Sequence, residues 1–238
     1  MQLTRRQLAL LSATAANLTA ARAEVSPDSY LAGVIAELRK KWPANRTINI
    51  VCHGHSVPAG YFHTPVIRPF EAYPHLIHRG LNAVYPHAVI NVINTSIGGE
   101  NSKSGAARFE RDVLTHQPSV VTIDYALNDR RLSLDEAAAS WRAMIDAALA
   151  KGVPVILLTP TADIDTDLKD ENAPLALHAA QIRRLAADAG VALADSFEAF
   201  RRTVNSGVDV RYLLSQSNHP NLDGHRLVAT EVLRWFQA

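Results

Sequence analysis

Five short apolar runs do most to limit what this chain can fold into: Ile48–Cys52, Val89–Asn94, Val120–Tyr125, Val153–Thr159 and Val191–Ala194. They are near-continuous rather than alternating and rich in Val and Ile, the pattern of parallel strands covered on both faces. Parallel neighbours cannot be joined by a tight turn; each pair needs a crossover, usually a helix. Segments of helical period stand where those crossovers must be. Tyr30–Trp42 precedes the first run, and Phe70–Val84, Gly105–His116, Leu134–Lys151, Ala173–Ala189 and Leu222–Phe236 follow in turn. Gly152 and Gly190 sit where helices should stop, and Asn221 or Asp223 can cap the last one. Alternating strands and helices predict a three-layer α/β/α fold with a doubly wound, parallel, five-stranded sheet of order 2-1-3-4-5. The segment Val57–Pro69, with three prolines and little periodicity, reads as a long loop at the edge where a ligand binds.

The amino terminus reads differently. Arg5-Arg6 stands directly before a mildly apolar stretch, Leu8 to Ala21, and Ala21-Arg22-Ala23 fits a small-residue cleavage site. Residues 1–23 are therefore expected to be an export signal of the twin-arginine kind, and residues 24–238 a single domain acting in the periplasm or outside the cell. An amphipathic helix that stays attached is the competing reading. Ser, Thr and Asn interrupt the stretch, so it is too weak for a stable membrane span. Without residues 1–23 the chain keeps 21 Lys and Arg against 23 Asp and Glu. It then carries no basic field for nucleic acid or an anionic membrane. Its lone Cys52, at the end of an apolar run, allows no internal disulfide and reads as a small buried hydrophobe.

Four polar stations stand just past strands or just before the last helix. His53-Gly54-His55-Ser56 follows the first strand, and a tight turn into a helix would expose Ser56 while aiming its N–H inward. Asn94-Thr95-Ser96-Ile97-Gly98-Gly99 follows the second, and Gly99 has no side chain to keep its N–H from a substrate. Tyr125-Ala126-Leu127-Asn128-Asp129 follows the third, where Asn128 can donate an amide or cap a helix. His219-Pro220-Asn221 precedes the final helix. Each alone is equally well a turn glycine, a helix cap or a surface histidine. Strand ends of a parallel sheet share one edge, so the four converge there. A serine, a base, a backbone N–H and an amide donor are the requirements of acyl transfer.

Taken together, these blocks resemble the SGNH, or GDSL-type, hydrolases, serine esterases and lipases on a flavodoxin-like fold. The resemblance runs from about the first strand to the carboxyl terminus. The second block, with Asn94, Gly99 and Gly105, and the His-Pro-Asn ending match the family closely. The resemblance implies Ser56 as nucleophile, His219 as general base, and Ser56 N–H, Gly99 N–H and the Asn128 amide as an oxyanion hole. It implies a carboxylic ester hydrolase working through an acyl-enzyme without a cofactor. Its substrate would be a lysophospholipid, a short acyl ester or an O-acetylated carbohydrate. Three positions depart from the family pattern. His55 stands for the Asp of Gly-Asp-Ser, Ala126 for the Gly of Gly-x-Asn-Asp, and Gln216 for the triad Asp three residues before the histidine. The Gln216 side chain, or a carbonyl of Ser215 or Gln216, is then expected to orient His219, with Asp209 as an alternative. Two rival readings stay open: an exported carbohydrate- or ligand-binding protein with a degenerate triad, and a metal-binding protein built on His53, His55 and His63. The acidic run Ala162–Glu171 reads as a solvated loop beside the site.

Overall fold

The computed structural model describes residues 25–237, so the leader read from residues 1–23 lies outside them. Five strands, β1 (Thr47–Gly54), β2 (Val89–Asn94), β3 (Val120–Asp124), β4 (Val155–Leu158) and β5 (Ala192–Ala194), form one sheet of order β2-β1-β3-β4-β5. Every pairing is parallel, with Thr47 opposite Val89 and Gly54 opposite Asp124. The chain order reverses at β1, so β1, β2 and β3 end together at the switch point, where ligands bind in open α/β sheets.

Alternation along the strands divides the interior in two. On one face Ile50, Cys52, Ile156 and Leu158 pack among α2 (Ala32–Leu38), α4 (Tyr73–Val84) and α10 (Leu222–Leu233). On the other, Val51, Val121, Ile123, Val155 and Leu157 meet α5 (Ser102–Asp112), α7 (Leu134–Leu149) and α8 (Pro174–Ala189), with Trp141 fully buried. Short polar side chains start these helices: Asn101 caps α5, Ser133 and Glu136 form a capping box on α7, and Asn221, not Asp223, caps α10.

The remaining elements are short: α1 (Pro27–Tyr30), α3 (Ser56–Ala59), α6 (Ala126–Asp129), α9 (Ser196–Asn205) and a hairpin of β6 (Leu214–Gln216) with β7 (His219–Pro220). The sequence reading did not identify α9. Its inward stripe is short, Phe197, Ala199 and Phe200 with Val204 partly buried, and its start depends on the Asp195 carboxylate, which accepts from Glu198 N. Among the described residues no helix is long and apolar enough to cross a membrane.

Candidate active site

The nucleophile side is built by a forced turn. β1 ends at Gly54, where a Cβ would lie 2.5 Å from the Asp124 carbonyl and 2.7 Å from the Pro58 ring. Glycine there lets the chain turn tightly against β3. His55 Nδ1 accepts from Val57 N at 3.2 Å and so caps α3. Ser56 is the first residue of α3. Its Oγ lies 3.1 Å from His219 Nε2 and 3.5 Å from His55 Nδ1.

The base side is a loop held by a hairpin. His219, in β7, has Nδ1 3.2 Å from the carbonyl oxygen of Phe62. A carbonyl only accepts, so the proton sits on Nδ1, and the Nε2 lone pair faces Ser56. The histidine-orienting group is therefore neither Gln216 nor Ser215 acting directly. Gln216 Oε1 accepts from Thr64 N at 2.9 Å, and Ser215 Oγ is 3.1 Å from Phe62 O. Both residues fasten the loop that carries the carbonyl. The Gln216 side chain is engaged by the main chain of that loop, and the Ser215 hydroxyl also reaches the His219 carbonyl at 3.1 Å within the hairpin, so neither side chain is bonded to the imidazole. Asp209 is spent elsewhere: it accepts from Arg211 N and pairs with the Arg211 guanidinium at 3.1 Å. Burial holds the His219 pKa below the usual histidine value, the Phe62 carbonyl opposes that, and His55 and His63 add to it. At neutral pH the ring is an unprotonated base.

The oxyanion side is denser. Thr95 N donates to Cys52 O at 2.9 Å and Ile97 N to Gly54 O at 3.0 Å, drawing the segment after β2 alongside the Ser56 turn. Gly99 adopts φ +82°, a left-handed conformation that favours glycine. Asn128, in α6, donates one amide N–H to Glu100 O at 2.7 Å, and the amide carries a second. Next to it, Asp129 is buried and accepts from Ser102 N at 2.7 Å and Trp141 Nε1 at 2.6 Å, locking α6 to α5 and α7. Behind this segment lies a buried group that sequence reading missed. Arg108 grips the Glu100 carboxylate with Nε and Nη2 (2.9 and 2.6 Å) and the Thr95 carbonyl with Nη1 (2.7 Å). The sequence did offer a signal, a lone Arg on the otherwise inward stripe of α5 beside Gly105 and Phe109.

The other histidines divide by environment. His53 is buried, with Nε2 3.1 Å from Gly105 O and Nδ1 2.9 Å from Thr95 Oγ1. Burial, then the nearby Arg108 charge, push its pKa down to about 4, so it is a neutral structural ring. His55 Nε2 is 3.4 Å from Asp124 Oδ1, close but poorly aligned for a hydrogen bond, and both side chains are buried. His225, on α10, accepts from Tyr73 N and is pushed down to about 3 by burial. The ring of His63 stands edge-on to Phe62. Among the described residues no three His, Cys, Asp or Glu side chains are grouped to hold a metal ion. Cys52 is buried, its thiol pushed up to about 12, so it supplies no thiolate. In the acidic run, Asp163 is buried and ion-paired with Arg130, and Ile164 N donates to Ser217 O at 2.8 Å. That run is thus partly anchored over the hairpin rather than wholly solvated.

Similarity to known proteins runs in one direction. Residues 52–227 match the model of the GDSL-like lipase/acylhydrolase family. An acetylxylan esterase of Geobacillus stearothermophilus is 26% identical over 168 residues, 65% of this chain and 75% of that one. The solved structure of the Axe2 acetylxylan esterase from the same organism superposes with TM-score 0.70 at 23% identity, covering 80% of this chain and 94% of that one. A two-domain esterase active on acetylated mannans superposes with TM-score 0.74 at 22% identity over 91% of this chain and 54% of that one. Catalytic mutants of Axe2 replace an aspartate and a histidine three residues after it. In this chain the position three before His219 is Gln216.

Proposed function

This chain belongs to the GDSL-like lipase/acylhydrolase family and is a serine esterase; we propose that it removes acetyl groups from carbohydrate hydroxyls, with Ser56 as nucleophile and His219 as its base. The observation that carries the reading is the 3.1 Å approach of Ser56 Oγ to a histidine nitrogen whose lone pair is fixed toward it. Ser56 Oγ attacks the ester carbonyl as its proton passes to His219 Nε2. The carbonyl oxygen takes the electron pair and is met by the N–H groups of Ser56 and Gly99 and the free amide proton of Asn128. Collapse returns the pair, breaks the bond to the alcohol oxygen, and His219 gives that oxygen its proton. Water then repeats the sequence against the acyl-enzyme, releasing the acid and restoring Ser56.

The Phe62 carbonyl sets the His219 tautomer as a carboxylate would, but brings no negative charge to the imidazolium. Acetylated carbohydrate as substrate is supported by the acetylxylan esterase relative and by structural neighbours acting on acetylated xylooligosaccharide and acetylated mannan. The Arg5-Arg6 leader supports action outside the cytoplasm, where such polymers are met. Acetate release from acetylated xylooligosaccharide, alongside acetyl, butyryl and octanoyl p-nitrophenyl esters, tests the reading. The expected result is release by the native protein, preference for acetyl, and no release by Ser56→Ala. Preference for octanoyl would overturn the substrate, and turnover surviving Ser56→Ala would overturn the nucleophile.

A further inference from the structure

We propose that Arg108 is a positioning residue for the oxyanion hole, clamping the segment Thr95–Glu100 so that Gly99 N–H and the Asn128 amide converge on one point. The inference rests on the assignment of those two groups as oxyanion donors. Its basis is geometric. Arg108 rises from α5 behind the segment and holds both ends of it, the Thr95 carbonyl at 2.7 Å and the Glu100 carboxylate at 2.6 Å. Gly99 lies between those ends. Glu100 also carries the link to the second donor, since its carbonyl receives the Asn128 amide at 2.7 Å. One guanidinium therefore sets the place of both donors relative to each other.

The residue type fits the task. A planar fork engages a carboxylate through two nitrogens while the third reaches a carbonyl in another direction, and an ammonium cannot do both at once. The Arg108 side chain is 8% exposed and Glu100 17%, so the pair works in a medium where charge attraction is screened little. Tyr125 Oη, 3.2 Å from Arg108 Nη2 and 3.1 Å from His53 Nε2, closes the group from the residue between β3 and α6. Gly105 admits the Tyr125 ring, because any Cβ there would collide with it. Asp112 adds a longer contact at 3.4 Å. None of these groups is assigned a contact with the reacting atoms, so the network acts through the backbone it holds.

The test compares Arg108→Met, Arg108→Lys, Asn128→Ala and the double variant Arg108→Met/Asn128→Ala on p-nitrophenyl acetate. It is joined by the affinity of methylboronic acid, which forms a tetrahedral adduct on a serine. Arg108→Met is expected to lower kcat about 100-fold, the scale of losing one oxyanion donor, with KM within about twofold and boronate affinity falling in step. Arg108→Lys should lie between native and Met. The double variant should be little worse than either single one, because both changes disable one device. Removing Arg108 leaves Glu100 a largely buried, unpaired charge that can unfold the protein, so Arg108→Met/Glu100→Gln, which removes both charges, is measured beside it. A folded protein of either kind with native kcat and boronate affinity would overturn the proposal, as would losses that multiply in the double variant with Asn128→Ala. Native kcat in Asn128→Ala would instead overturn the oxyanion assignment, and the proposal with it.

Discussion

The two halves of the site are built on opposite principles. The oxyanion half rests on a buried, charged network in which Arg108 meets Glu100 side-on at hydrogen-bonding distances of 2.6 to 3.1 Å. The base half has no charge in the corresponding place: His219 Nδ1 is met by the Phe62 carbonyl, and the loop bearing it is fastened by Gln216 and Ser215. The difference teaches where precision is required. Stabilising an oxyanion needs donors fixed before the charge appears. Orienting a histidine needs only one acceptor on the correct nitrogen, at the cost of less support for the imidazolium.

The largest effects should come from the atoms shared by both halves. Ser56→Ala and His219→Ala are each expected to lower kcat on p-nitrophenyl acetate by at least about 10⁴-fold, with the double variant no worse, since the two act as a unit. A His219→Ala protein with substantial turnover would break the assignment of the base half. Next comes the contrast itself. A defect in the oxyanion clamp should appear wholly in kcat and in boronate affinity. Gln216→Ala, which only frees Thr64 N–H, should lower kcat about threefold to tenfold and leave the melting temperature nearly unchanged. Gln216→Asp should also lose activity, because the side chain at this position is directed at Thr64 and not at the imidazole. A gain in kcat on placing the acid there would mean the hairpin can turn it onto His219, and would narrow the difference between the two halves.

Smaller effects follow from pH. His219 acts as a base only when neutral, so kcat/KM is present above its pKa and lost as pH falls through it. Because burial lowers that pKa, the acid limb should have its midpoint below 6.5. A midpoint above 6.5 in the pH–rate profile would point to an unrecognised negative charge beside the ring. Stability should change over a similar range for another reason. His53 and His225 have native pKa values of about 4 and about 3, against 6.5 in the unfolded chain. Below pH 6.5 the unfolded state binds more protons than the native one, so stability declines as pH falls toward 4 and is flat with respect to these rings above 6.5. Thermal melts across that range check the direction.

The sheet was legible because its inner strands, buried on both faces, need continuous apolar runs, and the half-exposed edge strand β2 keeps the same Val- and Ile-rich pattern. Val89–Asn94 is placed to the residue, and the others within three residues at each end. The strand order followed the same logic. The approach of Ser56 to His219 was legible because Ser56 follows a strand of the parallel sheet and His219 stands just before the last helix, held there by the β6–β7 hairpin; Gly99 and Asn128 follow β2 and β3 on the same edge. What orients His219 was not, since Phe62 contributes a main-chain carbonyl that every residue type possesses. Arg108 was obscure for a related reason: an arginine on a helix usually faces water, and only the fold turns this one toward Glu100. The leader and cleavage site expected from Arg5-Arg6 and Ala21-Arg22-Ala23 lie outside the described residues.

The most direct measurement is nitrogen-15 and proton NMR of the His219 ring in the free protein at pH 7, assigned by comparison with His219→Ala. The account predicts a neutral imidazole with its proton on Nδ1, bonded to the Phe62 carbonyl, and a bare Nε2 toward Ser56. A proton on Nε2, or a ring still charged at that pH, would contradict it.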